Sequence, residues 1–402
     1  MASLDQRPLR ILAADDSAVM RGVMEKLFRM HAEEGGAELP RMELCGVAKD
    51  GVDCLDQVKK LSPDVLVLDL EMPRLNGLDV LHRLRVEGPR LPVIMCSAHT
   101  EHGARSTLEA LALGAADYVT KPTEQRDFAS AMVSLAHQLL PRIAALAKGV
   151  RRRGESVAGS SLPVGAQTPA RRDVVAKPIE VVVIGLSTGG PSALEQLLPK
   201  LPASFPVPVL IVQHMPKLFT RALAERLDSC CALPVREAYD GATIGPGTIW
   251  LAPGDAHMEV AQGQAGPGEG VGAAGRVRLH QREPLNHCRP SVDYLFFSAA
   301  RVHGSGALAL VMTGMGADGL DGARAVHEGG GVVLAQDEGS SAVWGMPGRV
   351  SEAGIASATL PIGEIAGALM ERVSAGRLKR LDSVHHAASS RVTRREMLDG
   401  VL

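Results

Sequence analysis

Residues 181–190 read VVVIGLSTGG, in which four branched apolar residues lead into a polar, glycine-rich turn. A short apolar run that ends at glycine indicates a buried β-strand. Pro191 follows, and proline is common in the first turn of a helix, so the segment predicts a strand, a tight turn and a helix. Ser187 lies in that turn between Gly185 and Gly189, which raises the question of whether its hydroxyl is a nucleophile.

Similar apolar runs recur along the chain and alternate with longer amphipathic segments, such as residues 17–31 and 106–113. Such alternation predicts parallel sheets with helices on both faces. The sequence therefore predicts an α/β fold with two doubly wound parallel-sheet domains joined by a linker. The predicted strands are Leu9–Ala14, Val65–Leu68, Val93–Cys96, Asp117–Val119, Ile179–Ile184, Val207–Val212, Thr248–Leu251, Leu308–Met312 and Val332–Ala335.

The 402 residues divide at a change of composition. Residues 148–178 are rich in arginine, glycine, serine and proline and show no apolar periodicity, which is typical of a flexible linker. We therefore predict one domain over residues 1–147, a second over residues 179–380 and a disordered tail over residues 381–402. Residues 261–276 are also poor in apolar side chains and predict a mobile loop in a hairpin region.

Bulk composition argues against several classes of function. A net charge of −2 and an aromatic content of 3% do not favour a surface for nucleic acid or anionic membrane. The 6 cysteines form no C-x-x-C pair, so their spacing predicts no zinc site. The N-terminus shows no signal-peptide pattern and no apolar run approaches the roughly 18 residues of a membrane span. We therefore expect a cytoplasmic protein that does not insert into a membrane.

Polar side chains follow the predicted strands of the first half. Asp15 and Asp16 end one strand, Asp69 ends another, Ser97 ends a third and Lys121 follows the last. Ligands of open α/β sheets bind beyond the carboxyl ends of the strands, so we expect these groups to meet. Clustered carboxylates repel unless a cation joins them, and Mg²⁺ prefers such oxygen ligands. For any one of these residues alone, a helix cap or turn is the simpler interpretation.

Four motifs of the first half, LAADDS, VLDLEMPRLNGLDVL, VIMCSA and YVTKP, resemble the receiver domain of two-component response regulators. Together they span nearly all of residues 9–122. The resemblance implies a flavodoxin-like fold in which Asp69 is the phosphoacceptor. It also implies a chemotaxis histidine kinase as the phosphodonor.

The same resemblance implies a Mg²⁺ site that supports phosphorylation. It assigns Asp16 as a direct ligand, Asp15 as a ligand through water and the backbone carbonyl of Glu71 as a further protein ligand, beside Asp69. Ser97 and Lys121 are implied as the pair that responds to the phosphoryl group.

Three hypotheses compete for the turn that contains Ser187. Dinucleotide binding requires G-x-G-x-x-G and a later acid, and the spacing of Gly185, Gly189 and Gly190 fits it poorly. Alternatively, Ser187 could cap the helix that follows. The third hypothesis is a nucleophile on a tight turn, which requires a histidine base and an acid that orients it.

A base and an acid occur at the ends of other predicted strands. His214 ends the next apolar run, and Asp318 follows a later one within TGMGADG. All three groups would therefore share one edge of a parallel sheet with Ser187. The order Ser, His, Asp differs from the Ser, acid, His order of α/β-hydrolases. His257 and His287 are weaker alternatives as the base.

Glycines near Asp318 would let backbone amides approach a substrate oxygen. These are Gly314, Gly316 and Gly319, and we expect oxyanion donors there and at the amide of Thr188.

The second half resembles the chemotaxis protein-glutamate methylesterase (CheB) family. The matching stretches are IGLSTGG, QHMPKLFTRALAERL, LAPGDAHMEV, RPSVDYLFFSAA, VMTGMGADGLDGA and AQDEGSSAVWGMPG, which span most of residues 181–348. The resemblance implies Ser187, His214 and Asp318 as the catalytic triad, with the Met315 amide in the oxyanion hole.

The two resemblances imply hydrolysis of glutamyl γ-methyl esters on the cytoplasmic domains of chemoreceptors, with release of methanol and a related glutamine deamidation. They imply Mg²⁺ for phosphorylation of the receiver and no cofactor for the esterase reaction. We expect the unphosphorylated receiver to cover the Ser187 edge. The alternative class is a non-enzymatic scaffold in which the receiver is fused to an adaptor, and a dinucleotide-binding enzyme is a third possibility.

Overall fold

The computed structural model describes residues 7–34, 39–88, 91–122, 128–156, 178–263 and 275–375. These residues form two α/β units that follow each other along the chain. The predicted tail and most of the segment between the predicted hairpin strands lie outside the described residues. Within the described residues, no helix has the length and apolar character needed to cross a membrane.

The first unit is a parallel sheet of five strands in the order β2-β1-β3-β4-β5. Helices connect the strands, as the alternating pattern predicted. In chain order the elements are β1 (Leu9–Ala14), α1 (Ala18–Glu34), β2 (Met42–Ala48), α2 (Gly51–Leu61), β3 (Val65–Asp69), α3 (Gly77–Glu87), β4 (Val93–Ser97), α4 (Glu101–Ala112), β5 (Asp117–Thr120) and α5 (Phe128–Ser156).

Two features of this unit differ from the sequence prediction. The strand β2 was not predicted, because it lies at the sheet edge and most of its residues are only partly buried, so it lacks a continuous apolar run. The helix α5 continues to Ser156 and therefore includes the first part of the predicted linker, residues 148–178. Residues 157–177 of that segment lie outside the described residues.

The second unit contains a parallel sheet of seven strands in the order β15-β14-β13-β6-β7-β10-β8 and a small antiparallel sheet in the order β11-β12-β9. Its elements are β6 (Val181–Leu186), α6 (Gly190–Leu197), β7 (Val209–Gln213), α7 (Lys217–Cys230), β8 (Val235–Glu237), β9 (Thr243–Ile244), β10 (Ile249–Leu251), β11 (His257–Ala261), β12 (Gly275–His280), α8 (Val292–His303), β13 (Ala307–Val311), α9 (Leu320–Glu328), β14 (Val332–Gln336), α10 (Met346–Glu352) and β15 (Ala358–Leu360), followed by a helix over residues 362–375.

Strand β6 shows why this sheet has helices on both faces. All six of its residues are buried. Alternate side chains of a strand point to opposite faces, and accordingly Val182 and Ile184 join one apolar cluster while Val181 and Val183 join another. Full burial of such a side chain contributes about 1.5–3 kcal/mol. The predicted hairpin is also present, because β11 and β12 pair in antiparallel register.

The two units pack directly against each other. The ring of Tyr118 in β5 stacks on Phe219 in α7, with ring centroids 4.6 Å apart. The hydroxyl of Ser192 in α6 donates a hydrogen bond of 2.8 Å to the carbonyl of Leu111 in α4. The face formed by α4 and β5 of the first unit therefore covers the start of α6 and α7 in the second.

Candidate active site and phosphoacceptor site

Strands β6 and β7 place Ser187 and His214 side by side. The two strands pair in parallel, with Leu186 opposite Gln213, so the next residue of each strand lies just beyond the same edge. The amide of His214 donates to the carbonyl of Leu186 at 3.1 Å, and the amide of Ser187 donates to the carbonyl of Thr313 at 3.0 Å. Because β7 and β13 flank β6 on opposite sides, this edge is a topological switch point, where open sheets bind ligands.

The glycines around Ser187 serve close packing. Gly189 has φ +78° and is the N-cap residue of α6, and no side chain caps the helix, so Ser187 does not cap it. A Cβ on Gly314 would approach the Ser187 Cβ to 2.9 Å, and a Cβ on Gly185 would overlap Val292. These two glycines are therefore required for the close packing of the turn, and the turn fits the hypothesis of a tightly held serine.

His214 and Asp318 form a direct hydrogen bond, with Nε2 and Oδ2 2.7 Å apart. Asp318 is 3% exposed, and its carboxylate also accepts hydrogen bonds from the amide of Val292 at 2.7 Å and the hydroxyl of Ser291 at 2.8 Å. Burial favours the neutral acid, but the bonds from His214 and these neighbours outweigh it and lower the pKa of Asp318 to about 2. Asp318 is therefore a fixed anion that orients the imidazole.

The same hydrogen bond determines the charge of His214. Burial disfavours the imidazolium, but the hydrogen bonds to the Asp318 carboxylate and to Cys288 outweigh it and raise the pKa of His214 to about 10. Because Nε2 faces Asp318, Nδ1 is the ring nitrogen left for other groups. The Cys288 Sγ lies 3.6 Å from that nitrogen.

The structure does not join Ser187 to His214 by a hydrogen bond. Among the described residues, the Ser187 hydroxyl has no hydrogen-bond partner. Catalytic hydrogen bonds are often long or unmade in the absence of substrate. The predicted residues therefore lie at one edge, with His214 and Asp318 in contact and Ser187 on the neighbouring strand end.

The other predicted bases have different environments. His257 is fully buried, its Nδ1 accepts from the amide of Ser291 at 3.2 Å, and its Nε2 lies 3.2 Å from the carbonyl of Glu283. Both ring nitrogens are thus engaged by backbone groups, which indicates a structural role. His287 is exposed in a turn with φ +62°.

Besides Ser291, three further side chains of the site were not predicted from the sequence. Asn286 donates to Asp318 Oδ1 at 3.0 Å and to Asp293 Oδ2 at 2.8 Å, and Cys288 contacts His214. Burial and the neighbouring Asp318 charge raise the pKa of Asp293 to about 7, although the hydrogen bond from the amide of Gly322 lowers it in part. All three come from the turn before α8 or its first residues, so the rule that looks at strand ends does not find them.

The predicted oxyanion donors lie against the first unit. Thr188 is 4% exposed, and its hydroxyl donates a 2.6 Å hydrogen bond to Asp117 Oδ2 of β5. Met315 packs on an apolar cluster that combines Val343 with α5 residues such as Ile143. Gly316 and Gly319 have φ of +88° and +91°, and they shape the loop that carries Met315 and Asp318.

Buried carboxylates meet at the edge of the first sheet. Lys121 Nζ lies 3.0 Å from Asp15 Oδ2 and 2.7 Å from Asp69 Oδ2. These are ion-pair distances without hydrogen-bond geometry, and both oxygens lack a hydrogen-bond partner among the described residues. Burial and the Asp15 charge raise the pKa of Asp69 to about 6, although Lys121 opposes this.

This edge has the composition of a site for a hard cation. Ligand oxygens of Asp15, Asp16 and Asp69 lie within 4.8 Å of one another. Three carboxylates face one lysine, so the donor set has excess negative charge, and hydrated Mg²⁺ fits it. Asp16 and Glu71 line one cleft beside it.

The hydroxyl of Ser97 is turned away from this edge. Ser97 is buried, and its hydroxyl donates to the carbonyl of Gly103 in α4 at 3.1 Å. Its own carbonyl accepts from the amide of Lys121 at 2.7 Å. Ser97 therefore sits beside Asp69 and Lys121, but its hydroxyl contacts α4.

The fold and the two sheet edges define a class of protein with two α/β units. The first unit resembles a receiver and has an acidic edge, and it packs against a second unit whose sheet edge carries serine, histidine and aspartate. Residues 11–133 match the response regulator receiver domain, and residues 182–369 match the CheB methylesterase domain. The chain belongs to the protein-glutamate methylesterase/protein-glutamine glutaminase family, and is thus a methylesterase with a receiver domain.

Relatives over nearly the whole length support this assignment. A protein-glutamate methylesterase/protein-glutamine glutaminase of Trichodesmium erythraeum is 41% identical over 365 residues, which cover 90% of this chain and 99% of that protein. One from Salmonella typhimurium is 37% identical over 373 residues, covering 93% and 99%. The crystal structure of the Thermotoga maritima CheB methylesterase catalytic domain is 41% identical, has a TM-score of 0.45 and covers 48% of this chain and 98% of that one.

Proposed function

We propose that this protein hydrolyses glutamyl γ-methyl esters on chemoreceptors, releases methanol and is activated by phosphorylation of its receiver. It deamidates receptor glutamines by the same chemistry. The observation that carries this proposal is the edge of the second sheet, where Ser187 and His214 follow neighbouring strands and Asp318 holds the imidazole.

Each side chain has a chemical task in this reaction. The Ser187 oxygen attacks the ester carbonyl while His214 takes its proton at Nδ1, the nitrogen that Asp318 leaves free. The proton passes to the departing methoxide, which leaves as methanol, and an acyl-serine remains. Water then attacks the acyl-serine with His214 as base, which gives a free glutamate carboxylate and restores Ser187. With a glutamine substrate, ammonia departs in place of methanol.

Backbone amides of Thr188 and Met315 are the proposed donors to the developing oxyanion. Removing one such donor typically costs about 10²–10³ in turnover. Both residues lie against the first unit, through the bond to Asp117 and the apolar cluster around Val343. The receiver therefore occupies the surface that a receptor helix must reach.

Strand β5 connects the contact surface to Lys121, the lysine that faces the proposed phosphoacceptor. Asp117 and Tyr118 of β5 contact the second unit, and Lys121 follows the same strand. A phosphoryl group on Asp69 would draw Lys121 away from Asp15 and the Ser97 hydroxyl away from the carbonyl of Gly103. Phosphorylation thereby favours release of the receiver. The size of this effect equals the difference between the free energies with which the phosphoryl group interacts in the released and in the closed arrangement of the two units.

Mg²⁺ would be held by Asp15, Asp16 and Asp69, together with the carbonyl of Glu71. It supplies positive charge beside the phosphoryl group during transfer. A carboxylate oxygen of Asp69 attacks the phosphorus of the phosphohistidine on the phosphodonor, a chemotaxis histidine kinase; the P–N bond breaks, the kinase imidazole leaves, and Lys121 balances the charge added to Asp69. The substrate is the cytoplasmic domain of a chemoreceptor, so we place the protein in the cytoplasm.

Two measurements together test this proposal. Methanol release from methylated chemoreceptor should be catalysed by the full chain, and a serine-directed phosphonate probe should add its mass to Ser187. Catalysis with the probe attached at another residue would remove Ser187 from the mechanism. Failure to release methanol from any methylated receptor would overturn the proposed substrate.

A further inference from the structure

The thiol of Cys288 has no task in the proposed hydrolysis, yet it lies in the catalytic centre. Its Sγ is 3.6 Å from His214 Nδ1, the nitrogen on which proton transfer from Ser187 depends. Cys288 is partly buried and is not in a disulfide. A sulfur and an imidazole nitrogen at this separation form a pair of ligands suited to a soft divalent metal ion.

The backbone holds the thiol in this place. Leu285 and Cys288 close a two-residue hairpin through backbone hydrogen bonds of 2.9 and 3.2 Å. Asn286 and His287 between them both have positive φ, as the twist of such a hairpin requires. The side chain of Asn286 is further tied to Asp293 and Asp318. The position of the sulfur is therefore set by the turn and by the acid that orients His214.

The distances match tetrahedral zinc. Zinc lies about 2.3 Å from a thiolate sulfur and about 2.0–2.1 Å from an imidazole nitrogen, and a tetrahedral angle then separates the two ligands by about 3.6 Å. Ligating histidines commonly donate their other N–H to a carboxylate, which fixes the ring. His214 has this arrangement through its 2.7 Å bond to Asp318. Ligand atoms of Cys288, His214 and Asp318 also lie within 4.8 Å of one another.

We propose that Cys288 and His214 bind a thiophilic divalent cation such as Zn²⁺, with water in the remaining positions, and that this ion inhibits the esterase. Binding displaces two protons to solvent, the thiol proton of Cys288 and the Nδ1 proton of the His214 imidazolium, and the metal then occupies Nδ1, so His214 no longer accepts a proton from Ser187. The inhibitory consequence rests on the proposed function, whereas the binding does not. Because sulfur and imidazole ligands select against Mg²⁺, this site is chemically distinct from the acidic edge around Asp69.

Spectroscopy with Co²⁺ tests binding without reference to turnover. The full chain should show cobalt–thiolate charge-transfer absorption that is lost in Cys288→Ala and kept in Ser187→Ala. Cys230 and Cys231 are adjacent at the end of α7 and offer competing thiols, so the matched control is the double variant Cys230→Ser/Cys231→Ser, which should keep the absorption. Absorption that persists in Cys288→Ala, or that disappears only in the double variant, would overturn the site.

Methanol release, measured without phosphodonor, tests the inhibition. Zn²⁺ should inhibit the full chain at concentrations at least tenfold below those at which Mg²⁺ has any effect, and a chelator should restore the rate. Cys288→Ala and Cys288→Ser, each compared with its own metal-free rate, should need at least tenfold more Zn²⁺. Equal Zn²⁺ sensitivity of the full chain and both variants would refute the proposal. If Ser187→Ala still releases methanol, the proposed mechanism fails, while the Co²⁺ result still decides the metal site.

Discussion

The two sheets present a buried carboxylate at corresponding edges but surround it differently. Burial and the neighbouring Asp15 charge raise the pKa of Asp69 to about 6, and Lys121 and the backbone of Glu71 compensate only in part. Asp318 accepts hydrogen bonds from His214, Ser291 and backbone amides, and its pKa is lowered to about 2. The position at a strand end brings the carboxylate to the edge, but the surrounding donors decide its chemistry. With a pKa of about 6, Asp69 changes its charge near neutral pH, whereas Asp318, with a pKa of about 2, stays ionised.

The largest expected effect is at the nucleophile. Ser187→Ala should lower methanol release by about 10⁶, because the residues of a serine triad act as a unit. The matched control is Ser229→Ala, which removes an exposed hydroxyl on α7. Turnover of Ser187→Ala within tenfold of the full chain would mean that the second edge is not a serine site.

The acid of the second edge should have the next largest effect. Asp318→Asn should lower turnover by about 10⁴, the order found when an orienting aspartate becomes an amide. It should also move the pH dependence. Asp318 raises the pKa of His214 above its ordinary value of 6.5, so the neutral imidazole that can accept a proton becomes populated only at pH values above 6.5. The kcat/KM of the full chain should therefore increase with pH, in a limb that lies above pH 6.5.

In Asp318→Asn this limb should shift to lower pH, as the imidazole loses its anionic partner. A limb at the same pH in both proteins would show that Asp318 does not set the charge of His214.

Stability should distinguish the two carboxylates in sign. The raised pKa of Asp69 means that its carboxylate ionises less readily in the folded protein than in the unfolded chain. Ionised Asp69 therefore lowers the free energy of unfolding, and this effect develops as the pH rises from about 4 through about 6. Asp69→Asn should therefore increase the free energy of unfolding by about 1–3 kcal/mol at neutral pH in Mg²⁺-free buffer, at about 1.4 kcal/mol per pKa unit.

The contribution of Asp318 has the opposite sign. Its lowered pKa stabilises the fold above about pH 4 and is lost as pH falls through about 2. Asp318→Asn should therefore lower the free energy of unfolding at neutral pH. Denaturant unfolding of both variants at pH 7 and pH 4 measures the contrast, and the same sign for both at pH 7 would refute it.

The smallest expected effect is at the surface between the units. Asp117→Ala removes the acceptor of the Thr188 hydroxyl and the partner of Arg142, which lies 3.1 Å away. A hydrogen bond to a charged group contributes about 1.5–3 kcal/mol, and about 1.4 kcal/mol is tenfold, so basal methanol release should rise by about tenfold to about a hundredfold as the receiver is held less tightly. Asp56→Ala, exposed on α2, is the matched control. An unchanged or lower rate for Asp117→Ala would separate this contact from inhibition.

The sequence predicted the parts of the molecule that depend on strand order alone. The positions of Asp15, Asp69, Ser187, His214 and Asp318 followed from the common edge of parallel strands. Asn286, Cys288 and Asp293 could not be found in this way, because a hairpin turn and the start of α8 bring them to the site through tertiary packing. The contact between Asp117 and Thr188 likewise depends on how two units dock, which no local pattern encodes.

The central claim is that charge at the first edge controls chemistry at the second, and one comparison tests it directly. Methanol release from methylated chemoreceptor is measured with and without acetyl phosphate and Mg²⁺ in the full chain, in Asp69→Asn and in the control Asp56→Asn. We expect stimulation of the full chain and of Asp56→Asn, and no stimulation of Asp69→Asn. Equal stimulation of Asp69→Asn, or no stimulation of the full chain once its phosphorylation is verified, would contradict it.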